Sequence, residues 1–200
     1  MHTHNESGSM PTRSALIVID MQRGCLNPSG GLPEQENFME VAKNIKQIIA
    51  FSRQKGIPVI HTREVHRYSL IDFGRETDGS EGIHFLDSTE DALYIEGFEP
   101  AKEDYEIVKR RYSAFYCTDL DILLSALKVD TLFLVGELTN VCVHYTFVDG
   151  HQRDYYMKVI KECVVGSDDR AHEAALEQMS YLQKNAVIST AQYCEIFDGQ

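Results

Sequence analysis

Five apolar residues in a row, Ala15-Leu16-Ile17-Val18-Ile19, end abruptly at Asp20. A β-branched run without polar alternation suits a strand covered on both faces, as strands of a parallel sheet are. Comparable runs recur at Ile57–Thr62 (IPVIHT), Glu106–Lys109 (EIVK), Thr131–Gly136 (TLFLVG), Tyr156–Lys161 (YMKVIK) and Ala186–Ile188 (AVI). Between them the apolar period changes to that of a helix. Phe38, Val41, Ala42, Ile45, Ile48 and Ile49 share one face before Gly56, and Leu120, Leu123, Leu124 and Leu127 share another after Thr118, a candidate N-cap with Asp121 three residues on. Residues 140–153 and 170–183 are further helical candidates. Strands alternating with helices at this spacing predict right-handed βαβ units and a parallel sheet between helix layers. The stretch from Arg63 to Tyr105, with Gly74, Gly79, Gly82, Gly97 and Pro100, is too long for a plain connection and reads as an elaborated loop over a site.

With 200 residues the chain has the length of one domain and buries roughly 70% of its unfolded surface. Residues 1–13 are expected to form a mobile N-terminal segment ahead of a single domain over 14–200. Nineteen Lys and Arg stand against 31 Asp and Glu, a formal charge of −12, so phosphate backbones and anionic membranes meet repulsion. No apolar run reaches the ~20 residues of a membrane span, and the polar start lacks a signal-peptide core, which points to the cytoplasm. The five cysteines are odd in number and widely spaced without a CxxC pair, so free thiols are expected. Cys25, Cys117, Cys163 and Cys194 take the ordinary reading of small core residues.

Three chemically able residues stand at or just beyond the carboxyl ends of expected strands: Asp20, Lys109 and Cys142. That edge is where open α/β sheets bind ligands. Taken singly, Asp20 reads equally as a structural carboxylate and Lys109 as a solvated lysine in the run KRR. Cys142 lies where a strand turns into a helix, near N–H groups that favour thiolate. Together they supply a base, a cation and a nucleophile, the parts of a cysteine hydrolase.

The blocks ALIVIDMQ, VKRRYSAFYCTDLDILL and VGELTNVCV, in this order, resemble the isochorismatase-like cysteine hydrolases, over roughly Ala15 to Ile188. The resemblance implies a three-layer α/β/α sandwich with a six-stranded parallel sheet in order 3-2-1-4-5-6. It also implies hydrolysis of a small amide through a thioester, with Asp20, Lys109 and Cys142 as acid/base, cation and nucleophile. A cis peptide at Glu137-Leu138 is implied too, bringing the N–H groups of Leu138 and Cys142 together as an oxyanion hole. In that strand order Lys109 must span about 9 to 10 Å of sheet to meet Asp20.

In the nicotinamidase branch an Asp-x-His pair after the second strand holds a metal; here the segment is TREVHR, so Glu64 and His66, with His84 downstream, are the matching candidates. The Glu-x-His-Arg run also resembles the ureido-type amidohydrolases, which need no metal. The favoured expectation is therefore a cytoplasmic enzyme without metal or cofactor, acting on a small ureido or carbamoyl amide. His66, Arg67, Tyr112, Phe115 and Asn140 are its candidate substrate contacts. Neither nucleic acid nor membrane is expected as a partner, and assembly into a homo-oligomer, dimer or tetramer, is. The alternatives are a metal-containing nicotinamidase-like amidase and a noncatalytic small-molecule-binding scaffold.

Overall fold

The computed structural model describes residues 13–26, 37–79 and 81–198; the segment expected to be mobile, 1–13, lies outside them except for Arg13. Central strand β1 (Ser14–Ile19) is buried at every position. It is flanked by β2 (Val59–Glu64) and β4 (Thr131–Glu137), and the sheet continues through β3 (Tyr105–Lys109), β5 (Tyr156–Val165) and β6 (Val187–Ile188). All pairs are parallel and the order is β3-β2-β1-β4-β5-β6, as the family resemblance implies.

The alternation of β1 side chains divides the core. Ala15, Ile17 and Ile19 face a layer that includes Leu120 and Leu124 of α2 (Leu120–Leu127), Phe147 of α3 (His144–Gln152) and Ala175 and Met179 of α4 (Asp169–Leu182). Leu16 and Val18 face Val41, Ile45 and Ile49 of α1 (Phe38–Gln54) and Tyr193 and Phe197 of α5 (Thr190–Asp198). A strand between two apolar layers can carry no polar side chain, which is why the ALIVI run is continuous. Helix α4 begins where the Asp168 carboxylate accepts from Ala171 N–H at 2.8 Å, an N-cap.

Several boundaries move from the sequence expectation. Strand β2 begins two residues later than IPVIHT and runs on to Glu64, and β5 continues to Val165 through a register shift opposite Leu134 and Gly136. The final helix α5 has no counterpart among the elements expected from sequence. Among the thiols, Cys25 and Cys163 are buried as expected, but Cys117 is exposed and Cys194 only partly covered, so neither is a core residue. Among the described residues no helix is long and apolar enough to cross a membrane.

The long connection from β2 to β3 holds two short 3-10 turns, Glu76–Asp78 and Glu90–Ala92. It is tied back by bridges from His66 to Leu86 and from Gln22 to Tyr94. These ties lay it against the carboxyl ends of β1 and β2.

At the other side of that edge, Gly136 has φ +115°, and a Cβ there would stand 2.1 Å from Ile19 O and 2.7 Å from Ile19 N. Neither backbone can yield without breaking the β1–β4 pairing. Gly136→Ala is therefore expected to destabilise the protein by about 3 kcal/mol or more, combining unfavourable backbone conformation with overpacking. Thermal denaturation of the variant measures this, and an unchanged Tm would show that the two strands can separate cheaply.

Candidate active site

Asp20 follows the last residue of β1 and adopts a left-handed conformation, φ 53°, which aspartate tolerates better than most residues. Its backbone N–H donates to Thr62 Oγ1 at 3.2 Å, and that hydroxyl donates to Asp20 Oδ1 at 2.7 Å. Two residues on, Gln22 is wholly buried. Its amide donates to Glu64 O (2.9 Å) and Ala92 O (3.1 Å), and its Oε1 accepts from Glu64 N–H (2.8 Å). The tail of the ALIVIDMQ block thus clamps the end of β1 to the end of β2.

The register of β2 with β3 sets Glu64 beside Lys109. The Lys109 side chain is fully buried, and its ammonium lies 2.5 Å from Glu64 Oε2 and 2.7 Å from Asp20 Oδ2. The gap of two strands is closed by the length of the lysine, and Glu64 occupies the strand between. Lys109 Nζ also donates to Cys142 Sγ at 3.4 Å, and the thiol lies 3.8 Å from Glu64 Oε2. Asp20, Lys109 and Cys142, singled out in sequence, are brought together, with Glu64 as a fourth member expected only as a possible metal ligand.

Cys142 is buried in one π-helical turn, Thr139–Val143, that leads directly into α3. The Glu137-Leu138 peptide before it is cis. This turn is pinned from behind: Thr139 Oγ1 meets His172 Nδ1 at 2.9 Å, Asn140 Nδ2 donates to Ser167 Oγ at 3.0 Å, and Asn140 Oδ1 accepts from Ser167 N–H at 2.9 Å.

Burial is the largest single influence on each of these groups, and it decides the direction at Asp20 and Cys142 but not at Lys109 and Glu64. It pushes the Asp20 carboxyl up, against the opposing pull of Lys109. It pushes the Cys142 thiol well up, with Asp20 and Glu64 adding to the effect and Lys109 opposing it. Burial works the other way on Lys109, but Asp20, Cys142 and Glu64 outweigh it and hold the ammonium protonated. At Glu64 burial is overcome by Lys109, His66 and His84, which keep the carboxyl well below its usual range. The resting site is therefore a protonated lysine between two carboxyl groups and a neutral thiol.

Beside it lies a second cluster. Glu64, His66, Glu76 and His84 are all buried, with one donor atom from each within 4.8 Å of the others. His66 Nε2 is 3.0 Å and His84 Nε2 3.3 Å from Glu64 Oε1, and Glu76 Oε2 is 3.4 Å from His66 Nε2. Both Glu76 oxygens and His66 Nδ1 are buried without a hydrogen-bond partner.

The cavity at Cys142 is lined by Asp20, Glu64, Glu81, His84 and Phe85 on one side of the sequence and Tyr112, Glu137, Leu138, Val141 and Cys142 on the other. Of the candidate substrate contacts, Tyr112 lines it. His66 is buried in the quartet rather than in the lining. Arg67 is exposed and paired with Asp72 at 2.6 Å, Phe115 packs in the core against Tyr155, and Asn140 braces the nucleophile turn. Glu76 and Glu81 had no sequence signal, because they belong to the long connection and only its folding brings them in.

The isochorismatase domain family matches residues 14–192, and the chain belongs to that family. Curated relatives within it include amidohydrolases. A probable inactive nicotinamidase of Arabidopsis thaliana is 30% identical over 83% of this chain and 87% of its own. A ureidoacrylate amidohydrolase of Yersinia enterocolitica is 29% identical over 88% of this chain and 86% of its own. Among solved structures, a cysteine hydrolase from Pseudomonas syringae superposes with a TM-score of 0.83 at 28% identity, covering 94% of this chain and 93% of its own.

The geometry makes a stability prediction that needs no substrate. Lys109→Met leaves two buried carboxyl groups without their cation and is expected to cost about 3–5 kcal/mol in unfolding free energy. Much of that loss should return in the double variant Lys109→Met, Glu64→Gln. Denaturant unfolding of both checks it, and a Lys109→Met protein as stable as the parent would mean that the ammonium is not the counter-charge of this edge.

Proposed function

We propose that this chain is a cysteine amidohydrolase in which Asp20, Lys109 and Cys142 cleave a small amide through a thioester. The observation that carries the reading is the convergence of one buried ammonium on Asp20, Glu64 and the Cys142 thiol. Asp20 takes the thiol proton, and burial, by raising its proton affinity, makes it a better base than an aspartate in water. The adjacent ammonium offsets the charge of the thiolate as it forms. The sulfur attacks the amide carbonyl carbon. The oxyanion is met by the N–H groups of Leu138 and Cys142.

As the C–N bond breaks, Asp20 returns the proton to the leaving nitrogen, and amine or ammonia departs. Asp20, again a carboxylate, then takes a proton from water, the resulting nucleophile attacks the thioester, and the acid product leaves as the thiol is restored. A ureido or carbamoyl amide remains the favoured substrate type. The family relative described as inactive leaves a noncatalytic scaffold as the competing reading, and the complete set Asp20, Lys109 and Cys142 argues against it here. The unpaired thiols suit a reducing cytoplasm, and the proposed enzyme works as a homo-oligomer.

A second reading concerns metal. The sequence favoured a metal-free site, but two imidazoles and two carboxylates buried within 4.8 Å of one another are a donor set suited to zinc or another first-row divalent ion. Glu76 makes only long ion pairs, 3.4 Å to His66 and 3.8 Å to His84, and no hydrogen bond, a deficit that a bound ion would fill. Glu64, His66, Glu76 and His84 would hold the ion, which when bound would supply a Lewis acid next to the thiol. Elemental analysis of the purified protein is expected to find close to one such ion per chain, lost in Glu76→Ala together with several degrees of Tm. Far less than one ion, and a Tm indifferent to added zinc, would restore the metal-free reading.

The thiol chemistry has its own test. In a screen of ammonia release from biuret, carbamoyl amino acids, ureidoacrylate, nicotinamide and maleamate, Cys142→Ser should lose turnover by several orders of magnitude. Asp20→Asn should lose at least ~100-fold. Retention of more than a tenth of the parent rate in Cys142→Ser would remove the cysteine from the mechanism.

A further inference from the structure

The lining of the cavity at Cys142 is unbalanced in charge. Asp20, Glu64, Glu81 and Glu137 bring four carboxyl groups to it, and among the described residues no arginine or lysine joins them; the lining imidazole, His84, is engaged by Gly82 O at 2.7 Å and Glu64 Oε1 at 3.3 Å. The one buried ammonium at this edge, Lys109, is already shared by Asp20 and Glu64. The nearby arginines are engaged elsewhere. Arg67 pairs with Asp72, Arg110 donates to Val65 O, and Arg111 donates to Asp72 O at 2.6 Å. A divalent ion in the neighbouring quartet, taken together with Lys109, would be balanced by Asp20, Glu64 and Glu76 and would leave no surplus positive charge.

A substrate carboxylate entering this cavity would be desolvated beside like charges, with the Lys109 ammonium and the His84 imidazole already held by Asp20 and Glu64, which is costly. Amide, ureide or ammonium N–H groups would instead find acceptors. Glu81 and Glu137 are the acidic members of the lining that neither the catalytic set nor the quartet uses; Glu137 is buried at the end of β4, whereas Glu81 is half-buried, so it can face an entering group with its charge incompletely screened by water.

We propose that the enzyme selects amides without a negative charge, neutral or cationic, and that Glu81 is a specificity-determining residue that turns acids away. The inference rests on Cys142 as the nucleophile and extends that reading to the class of substrate. It separates this site from one built for carboxylated amides, which would present a cation to the acid group.

Iodoacetamide and iodoacetate test this without knowledge of the substrate, because they differ by an amide against a carboxylate. In each case the sulfur forms a bond to the methylene carbon and iodide leaves. Labelling at pH 8 followed by peptide mapping gives the amide-to-acid rate ratio at Cys142, and the exposed Cys117 serves as an internal reference that feels the same net charge of −12. The expected ratio at Cys142 exceeds that at Cys117 by tenfold or more. Glu81→Gln should shrink the excess at least threefold, and Glu81→Asp should retain it.

Equal ratios at the two cysteines would overturn the proposed selectivity while leaving Cys142 as nucleophile. An excess that Glu81→Gln leaves untouched would overturn the assignment to Glu81. If Cys142→Ser keeps more than a tenth of the parent's ammonia release, the nucleophile reading fails and this inference fails with it.

Discussion

A lysine ammonium with no exposure to water is the constraint around which this fold is arranged. Removing such an ion from water costs several kcal/mol even after relaxation, unless counter-charges are held in place. Here Asp20 and Glu64 lie 2.7 and 2.5 Å from Lys109 Nζ, and each is delivered by the end of a different strand. The order β3-β2-β1 is what makes this possible, since Lys109 reaches across β2 to β1 and Glu64 fills the strand between. Gln22 and Thr62 hold the two carboxyl-bearing ends in register. The site is thus assembled by backbone pairing before any loop is considered.

Glu64 joins two chemistries. Its Oε2 faces the lysine and the thiol, and its Oε1 faces His66 and His84. Any change of charge in the quartet is therefore felt at the thiol through one carboxylate. This coupling gives the long connection between β2 and β3 a role beyond covering the cavity: it supplies Glu76 to the quartet and Glu81 to the lining.

Much of this was legible in the sequence, for identifiable reasons. The ALIVI and TLFLVG runs are buried on both faces, so their apolar continuity is imposed by packing, and Asp20 and Cys142 follow them at the sheet edge. The length of β2 was less legible. His61, Thr62 and Glu64 are polar yet buried, because Asp104, Asp20 and Lys109 satisfy them, and such pairing has no local signature. Arg67 and Phe115 stand close in sequence to site residues, but an ion pair with Asp72 holds one at the surface and packing against Tyr155 holds the other in the core. Glu76 and Glu81 come from a segment with no periodicity, and only tertiary structure gives them meaning.

The central claim is that Asp20, Lys109 and Cys142 are one electrostatic unit, and a double-mutant cycle on the iodoacetamide labelling rate of Cys142 tests it most directly. Lys109→Met should slow labelling near neutral pH, since it removes the cation that opposes the rise of the thiol, and Asp20→Asn should speed it, since it removes a charge that adds to that rise. Groups that act on the same proton are non-additive, so Asp20→Asn is predicted to change the rate by a different factor in the Lys109→Met background than in the parent. Effects that multiply cleanly, or labelling indifferent to Lys109, would contradict the account.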